Sequence, residues 1–312
     1  WPRVERDTLP RRSVKASIDG GVLKIGVVFP QTEIGPDAGT VRAYGETVEG
    51  SGFSHLLVYD HVLGAGLAHR PDWGGSYSSR HQFHEVFVLF GYLAAITTRL
   101  ELVTGVLVLP QRQTALVAKQ AAEIDRLSGG RLRLGVGVGW NAVEYEALNE
   151  SFGTRGRRIE EQVDVLRRLW TEPIVSFAGE YHRIPEAGIN PLPIQRPIPL
   201  WMGGYIDTTM RRIGRMADGW FPRGLPGDDL RRDQELVARS AKEAGRDPAT
   251  IGLEGRITLR PGAEAEWLEQ TEAWRAAGAT HMAINTMGQG WSPQEHIATV
   301  RRYAEVAGLT SS

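Results

Sequence analysis

Three groups of residues in this chain have types and spacings that could do chemistry. The first is Asp60-His61, directly after an apolar run, Ser54 to Tyr59 (SHLLVY). An imidazole titrates near neutral pH and can give or take a proton. On sequence alone, a histidine beside an aspartate at a strand end reads first as a satisfied structural pair. The second group is Leu132 to Gly139. Its even positions (Leu132, Leu134, Val136, Val138) are apolar, while its odd positions run Arg133, Gly135, Gly137, Gly139. Side chains alternate across a strand, so one face ends bare and leaves room for a flat ligand. The competing reading is close backbone packing, a common use of strand glycine. Trp140-Asn141 follows at that strand end. The third group is Gly203-Gly204 before a helix at Thr208, where exposed amides favour an anion and Thr208 and Thr209 add hydroxyls.

Positioning these residues requires a regular frame. From Leu23 the pattern alternates strand and helix: eight apolar strands and eight helices, the arithmetic of a (β/α)8 barrel. The third strand spans Leu100 to Val108 and is closed by Pro110. The helix from Thr114 to Leu127 follows it and stops at Ser128-Gly129-Gly130. Asp228 and Gly245 are expected to cap the helix between them. Two stretches fall outside the alternation. One runs from Asp60 to Phe83, after the second strand, and carries His69, Trp73, Tyr77 and His81, with His84 just beyond. It has no clear metal-ligand spacing and reads as an aromatic substrate lid or an irregular exposed loop. The other, Pro173 to Pro199, lies before the fifth strand and contains a hairpin-like VSFAGEYHRI and a proline-rich run. In a barrel the chemistry sits after the strands. That selects Gln31, Asp60-His61, Thr104-Gly105-Val106, Gly139-Trp140-Asn141, Gly203-Gly204 and Phe221-Pro222-Arg223.

Composition narrows the function classes. The chain has 312 residues, 41% of them hydrophobic, and a net charge of -1 with acids and bases intermixed. Nothing in that balance suggests a nucleic-acid or membrane partner. With 0 cysteines there are no disulfides or thiolate metal sites, which fits a reducing cytoplasm. No metal site is expected. Residues 1–22 have no hydrophobic signal core and read as a mixed-charge arm or added extension, leaving 23–312 as one domain.

The motifs YDHVLG (59–64), FHEVFVLFGYLAA (83–95), TGVLVLPQR (104–112), VAKQAAEIDRLSGGRLRLGVGVGWN (117–141), WMGG (201–204) and ADGWFP (217–222) occur in this order. Together they resemble the bacterial luciferase-like family of flavin and deazaflavin oxidoreductases. The resemblance implies a (β/α)8 barrel with an insertion before the fifth strand, and many relatives are homodimers. Asp60-His61 is similar to the branch that uses coenzyme F420, a 5-deazaflavin hydride carrier, with the histidine facing the reacting edge of the ring. The resemblance places a non-prolyl cis peptide near Gly105-Val106, at the back of the ring. It makes His61 the catalytic candidate, and gives cofactor contacts to Asp60, His61, Thr104, Gly105, Val106, Gly137, Gly139, Trp140, Asn141, Gly203, Gly204 and Thr208. The implied activity is F420-dependent hydride transfer to or from a small organic molecule. An FMN-dependent two-component monooxygenase and a non-catalytic binding barrel are the alternatives. One departure matters. Sugar-phosphate dehydrogenase relatives carry a glutamate after the strand-four glycines; here that place is Trp140. It puts a sugar-phosphate substrate and a carboxylic proton donor there in question.

Overall fold

The computed structural model describes residues 22–309. Eight barrel strands are β1 (Lys24–Val28), β2 (His55–Val58), β3 (Glu101–Thr104) with its continuation β4 (Leu107–Val108), β5 (Leu132–Gly137), β8 (Leu200–Gly203), β9 (Gly219–Phe221), β10 (Gly252–Thr258) and β11 (His281–Asn285). All pair in parallel, and β3 hydrogen-bonds to both β2 and β5, which closes the barrel. Between β5 and β8 lies the antiparallel hairpin β6 (Val175–Ala178) and β7 (Arg183–Ala187). Both expected insertions are therefore present. The arm 1–22 lies outside the described residues except for Val22, which is exposed.

The helices are α1 (Ala38–Gly50), α2 (Val86–Ile96), α3 (Thr114–Leu127), α4 (Ala142–Ala147), α5 (Arg155–Thr171), α6 (Asp207–Met216), α7 (Asp228–Glu243), α8 (Glu264–Ala276) and α9 (Pro293–Val306). Their local causes are ordinary. Glu85 caps α2 through the Val88 amide, and Ser292 with Glu295 forms a capping box at α9. Gly129, at φ +73°, follows the end of α3 in the left-handed conformation expected of it. Asp228 is not a cap. Gly227 takes that place, with no side-chain hydrogen bond, and Asp228 lies in the first turn of α7.

Strand alternation sorts the barrel lining. The even residues of β5 point to the helices; Leu134 and Val136 are fully buried there. The odd residues point inward. At the base of the barrel His55, Arg133 and Glu254 form a sealed charged layer, with Glu254 held by both His55 (2.9 Å) and Arg133 (2.5 Å). Above it, Val28, Leu57, Val103 and Ala283 make an apolar layer, capped by Tyr59 and Phe221. The mouth begins there. The third strand is not continuous as expected, but breaks at a cis Gly105-Val106 bond between β3 and β4. The chain bulges into the mouth at that point.

Candidate active site

His61 lies just past β2, in a cavity of about 270 Å³ lined by Val62, Leu63, Tyr77, Phe83 and Asn141, among others. Tyr77, Phe83 and Trp140 stand around its ring, with centroids at 5.2, 4.9 and 5.5 Å. Glu144 is the residue that sequence reasoning missed. Its Oε2 lies 3.1 Å from His61 Nδ1, and its Oε1 accepts the amides of Val62 and, at 3.1 Å, Leu63. Trp140 itself offers no carboxylate, yet one reaches the histidine from the first turn of α4. The signal was thin: a glutamate three residues after Asn141, with no spacing that ties it to His61.

Asn141 explains the aim of Glu144. Its Oδ1 caps α4 by accepting the Val143 amide at 3.2 Å, and its Nδ2 donates to the Leu63 carbonyl at 3.2 Å. Burial alone would raise the Glu144 carboxyl. Hydrogen bonds from His61 and the Val62 amide outweigh that effect, and the net shift is downward. Glu144 is thus a carboxylate at neutral pH. A carboxylate only accepts, so Nδ1 of a neutral His61 carries the proton and Nε2 keeps its lone pair. Nε2 makes no hydrogen bond to any described residue.

The other expected residues divide. Asp60 is buried, and its oxygens are spent on Arg112 (2.6 Å) and the Val108 amide (3.0 Å). Burial pushes its carboxyl up, with the Arg112 guanidinium opposing. Asp60 therefore fixes the strand ends and the Gly105-Val106 bulge, and the structure gives it no free oxygen for a cofactor. Thr104 is also turned away. It is fully buried and donates to the Gly135 carbonyl at 2.6 Å, a tie between strands. Gln31 bridges the Tyr59 carbonyl (2.5 Å) and the His84 amide (2.8 Å). Trp140 is 39% exposed and lies on Trp73 and Gly75 of the aromatic loop, so that loop does cover the histidine.

The bare face of β5 requires a correction. It is not open groove. A Cβ on Gly137 would stand 2.5 Å from Val106 Cγ2, one on Gly139 2.5 Å from Val108 Cγ1, and one on Gly135 2.0 Å from the Thr104 carbonyl oxygen. The glycines are there because the third strand packs down on them, the structural alternative weighed above. Gly203 serves the same contact, with Val106 Cγ1 at 2.8 Å from its notional Cβ. The flat surface has moved up one layer. Half-buried Val106 sits over Gly137 and Gly203, with half-buried Gly105 beside it, as an apolar floor. A planar tricyclic ring fits such a floor. Gly203-Gly204 ends β8 as expected, and α6 has no side-chain cap. Thr208 is exposed at its start, whereas Thr209 is buried against Gly204. Asp207 stands in that first turn and pairs with Arg232 at 2.5 Å. Among the described residues no three His, Asp or Glu side chains converge on a metal position. No described helix is long and apolar enough to cross a membrane.

The comparisons with known proteins agree with this geometry. Residues 21–309 match the family model for luciferase-like monooxygenases. An uncharacterized protein of Mycobacterium tuberculosis is 37% identical over 271 residues, 83% of this chain and 91% of that protein. The FMNH(2)-dependent dimethylsulfone monooxygenase of Pseudomonas putida is 30% identical over 181 residues, 57% of this chain and 49% of its own. In fold the chain is similar to an F420-dependent secondary alcohol dehydrogenase solved with an F420-acetone adduct. The TM-score is 0.72 at 18% identity, over 91% of this chain and 98% of that one. A closed parallel barrel, a bulged third strand and a match across the whole described chain have one meaning: this chain belongs to the luciferase-like monooxygenase family.

Proposed function

We propose that the chain is an oxidoreductase that moves a hydride between coenzyme F420 and a small organic molecule, with His61 as the proton-handling group. The observation that carries this reading is the His61–Glu144 pair at 3.1 Å in the mouth cavity. When bound, the deazaflavin supplies the carbon that carries the hydride. The chain supplies the rest. Val106 and the glycines beneath it offer the ring a flat support. Tyr77, Phe83 and Trp140 wall the histidine and limit water around it. Nε2 can take the proton of a substrate hydroxyl, and Glu144 then holds the imidazolium by a charge-assisted bond. In the opposite direction the same nitrogen returns the proton to a carbonyl oxygen.

A reduced-FMN monooxygenase is the second reading, and the identity to the dimethylsulfone enzyme favours it. The floor and the aromatic walls suit either ring. A binding titration separates the two, with purified protein against oxidised F420 and against FMN, read by fluorescence quenching. The expected result is tight F420 binding and weak FMN binding. The reverse, with substrate-dependent oxygen uptake, overturns the hydride-transfer reading.

A further inference from the structure

Arg256 is a charged group of the mouth that the proposed chemistry leaves unused. It lies on the inward face of β10, two positions above Glu254, and is exposed. Arg256 keeps contact with solvent, so it needs no carboxylate partner, and a cation left unneutralised in a barrel mouth attracts anions. Two less exposed arginines near it are paired, while Arg223, after β9, has no carboxylate within 4.0 Å among the described residues and stands over the Tyr205 ring at 4.7 Å. Arg133 meets Glu101 and Glu254, and Arg112 meets Asp60 and Glu85. Arg256 has no carboxylate within 4.0 Å among the described residues. Its protein partner is the Tyr59 hydroxyl, at 2.7 Å from Nη1, and the guanidinium carbon stands 5.7 Å from the same ring. Tyr59 directly precedes Asp60-His61, so this contact holds the cation across the mouth, beside the strand end that carries His61. Thr258, next along the same face of β10, is exposed and its hydroxyl has no hydrogen-bond partner among the described residues. The field of Arg256 reaches the aromatic wall as well. Burial raises the Tyr77 phenol to about 12 while the guanidinium pulls it down.

We propose that Arg256 and Thr258 form an oxyanion subsite in the barrel mouth, and that the substrate is a small organic carboxylate or sulfonate whose charged end rests there. The anion site stands on its own geometry; that the reacting carbon then faces His61 rests on the hydride-transfer reading. A guanidinium offers two parallel N–H donors to such a group, and one fixed anchor orients the remainder of a small molecule.

The test is calorimetric titration of the cofactor-free protein with hexanoate, hexanesulfonate and, as the neutral counterpart, hexanol. At least one of the anions is expected to bind more tightly than hexanol and to weaken as salt is raised. Arg256→Gln should lower that affinity about tenfold or more, with Arg256→Lys intermediate and hexanol binding unchanged as the control for folding. Equal binding of the anions and hexanol, no anion binding, or unchanged anion affinity in Arg256→Gln each overturns the proposal. F420 and FMN titrations of the same variant close the remaining route. Unchanged cofactor affinity supports a substrate subsite, and a tenfold loss would give Arg256 to the cofactor instead. If the wild-type protein binds neither cofactor, the hydride-transfer reading falls while the anion titration still decides the subsite.

Discussion

The strand β2 begins with one histidine–glutamate pair and leads into another. His55 meets Glu254 at 2.9 Å at the base of the barrel, and His61 meets Glu144 at 3.1 Å at its mouth. The residue types are the same and the environments are opposite. His55 is fully buried and uses both ring nitrogens, one on Ser54 Oγ at 2.8 Å and one on Glu254. Burial would raise Glu254, but Arg133 and His55 hold its carboxyl far below the ordinary range. Every polar atom of that histidine is satisfied, so the pair has nothing left to offer a substrate. His61 is partly open, uses one nitrogen, and has aromatic rings where the base has a salt bridge. Satisfaction closes the lower pair to any ligand; the upper pair keeps one nitrogen available.

The sharpest way to break this contrast is to remove each histidine in turn. His61→Ala should cost about 100-fold or more in turnover with little change in melting temperature. His55→Ala should do the reverse, lowering stability while leaving turnover per folded molecule near wild type. Turnover measured beside thermal unfolding checks both, and equal losses of activity in the two variants would erase the distinction. Next in size is Arg133→Met, which leaves Glu254 in a sealed layer without its cation. A loss of about 3–5 kcal/mol in denaturant unfolding is expected.

A smaller effect sharpens the view of the β5 glycines as packing sites. Gly135→Ala puts a methyl 2.0 Å from the Thr104 carbonyl oxygen, backbone that cannot swing aside. Overpacking of about 1–3 kcal/mol is expected, and a wild-type unfolding curve would restore the open-groove reading of that face. The smallest effect is on pH. Burial and the neighbouring Arg133 lower His281, at the base, from 6.5 to about 2. Its unfolded form takes up a proton below about pH 6.5 while the folded form does not, so stability falls as pH falls through that window. The slope for this one group is at most about 1.4 kcal/mol per pH unit. Glu254 acts in the same direction, since its stabilisation is present above the ordinary carboxylate range and lost as pH drops through its depressed value. His281→Gln should flatten the slope between pH 6 and 4, measured by denaturant unfolding at each pH; an unchanged slope would exclude His281 as its source.

Much of this could be read along the chain because it is local. The alternation of strands and helices follows from hydrophobic period and from turns such as Ser128-Gly129-Gly130. The inward face of β5 follows from parity, and Asp60-His61 follows from its place after a strand. The cis peptide at Gly105-Val106 was expected from the family resemblance of the motif around it, whereas the break it makes in the third strand was not. Glu144, Arg112 and Arg256 were not, because each acquires its role from a partner distant in sequence. Glu144 reaches His61 across 83 positions of sequence, from a helix that Asn141 caps. Asp60 is a cofactor contact by family resemblance and a tether in space, because Arg112 comes back to it after a helix and a strand.

The periodicities, the barrel and the strand end where a histidine would stand could be read from the residues alone, since these depend on neighbours one to four residues apart. Folding in three dimensions chooses which of two similar histidine–glutamate pairs keeps a nitrogen free, and which glycines are filled from above. Burial and hydrogen-bond satisfaction are set by residues brought from elsewhere in the chain, and no local pattern specifies them.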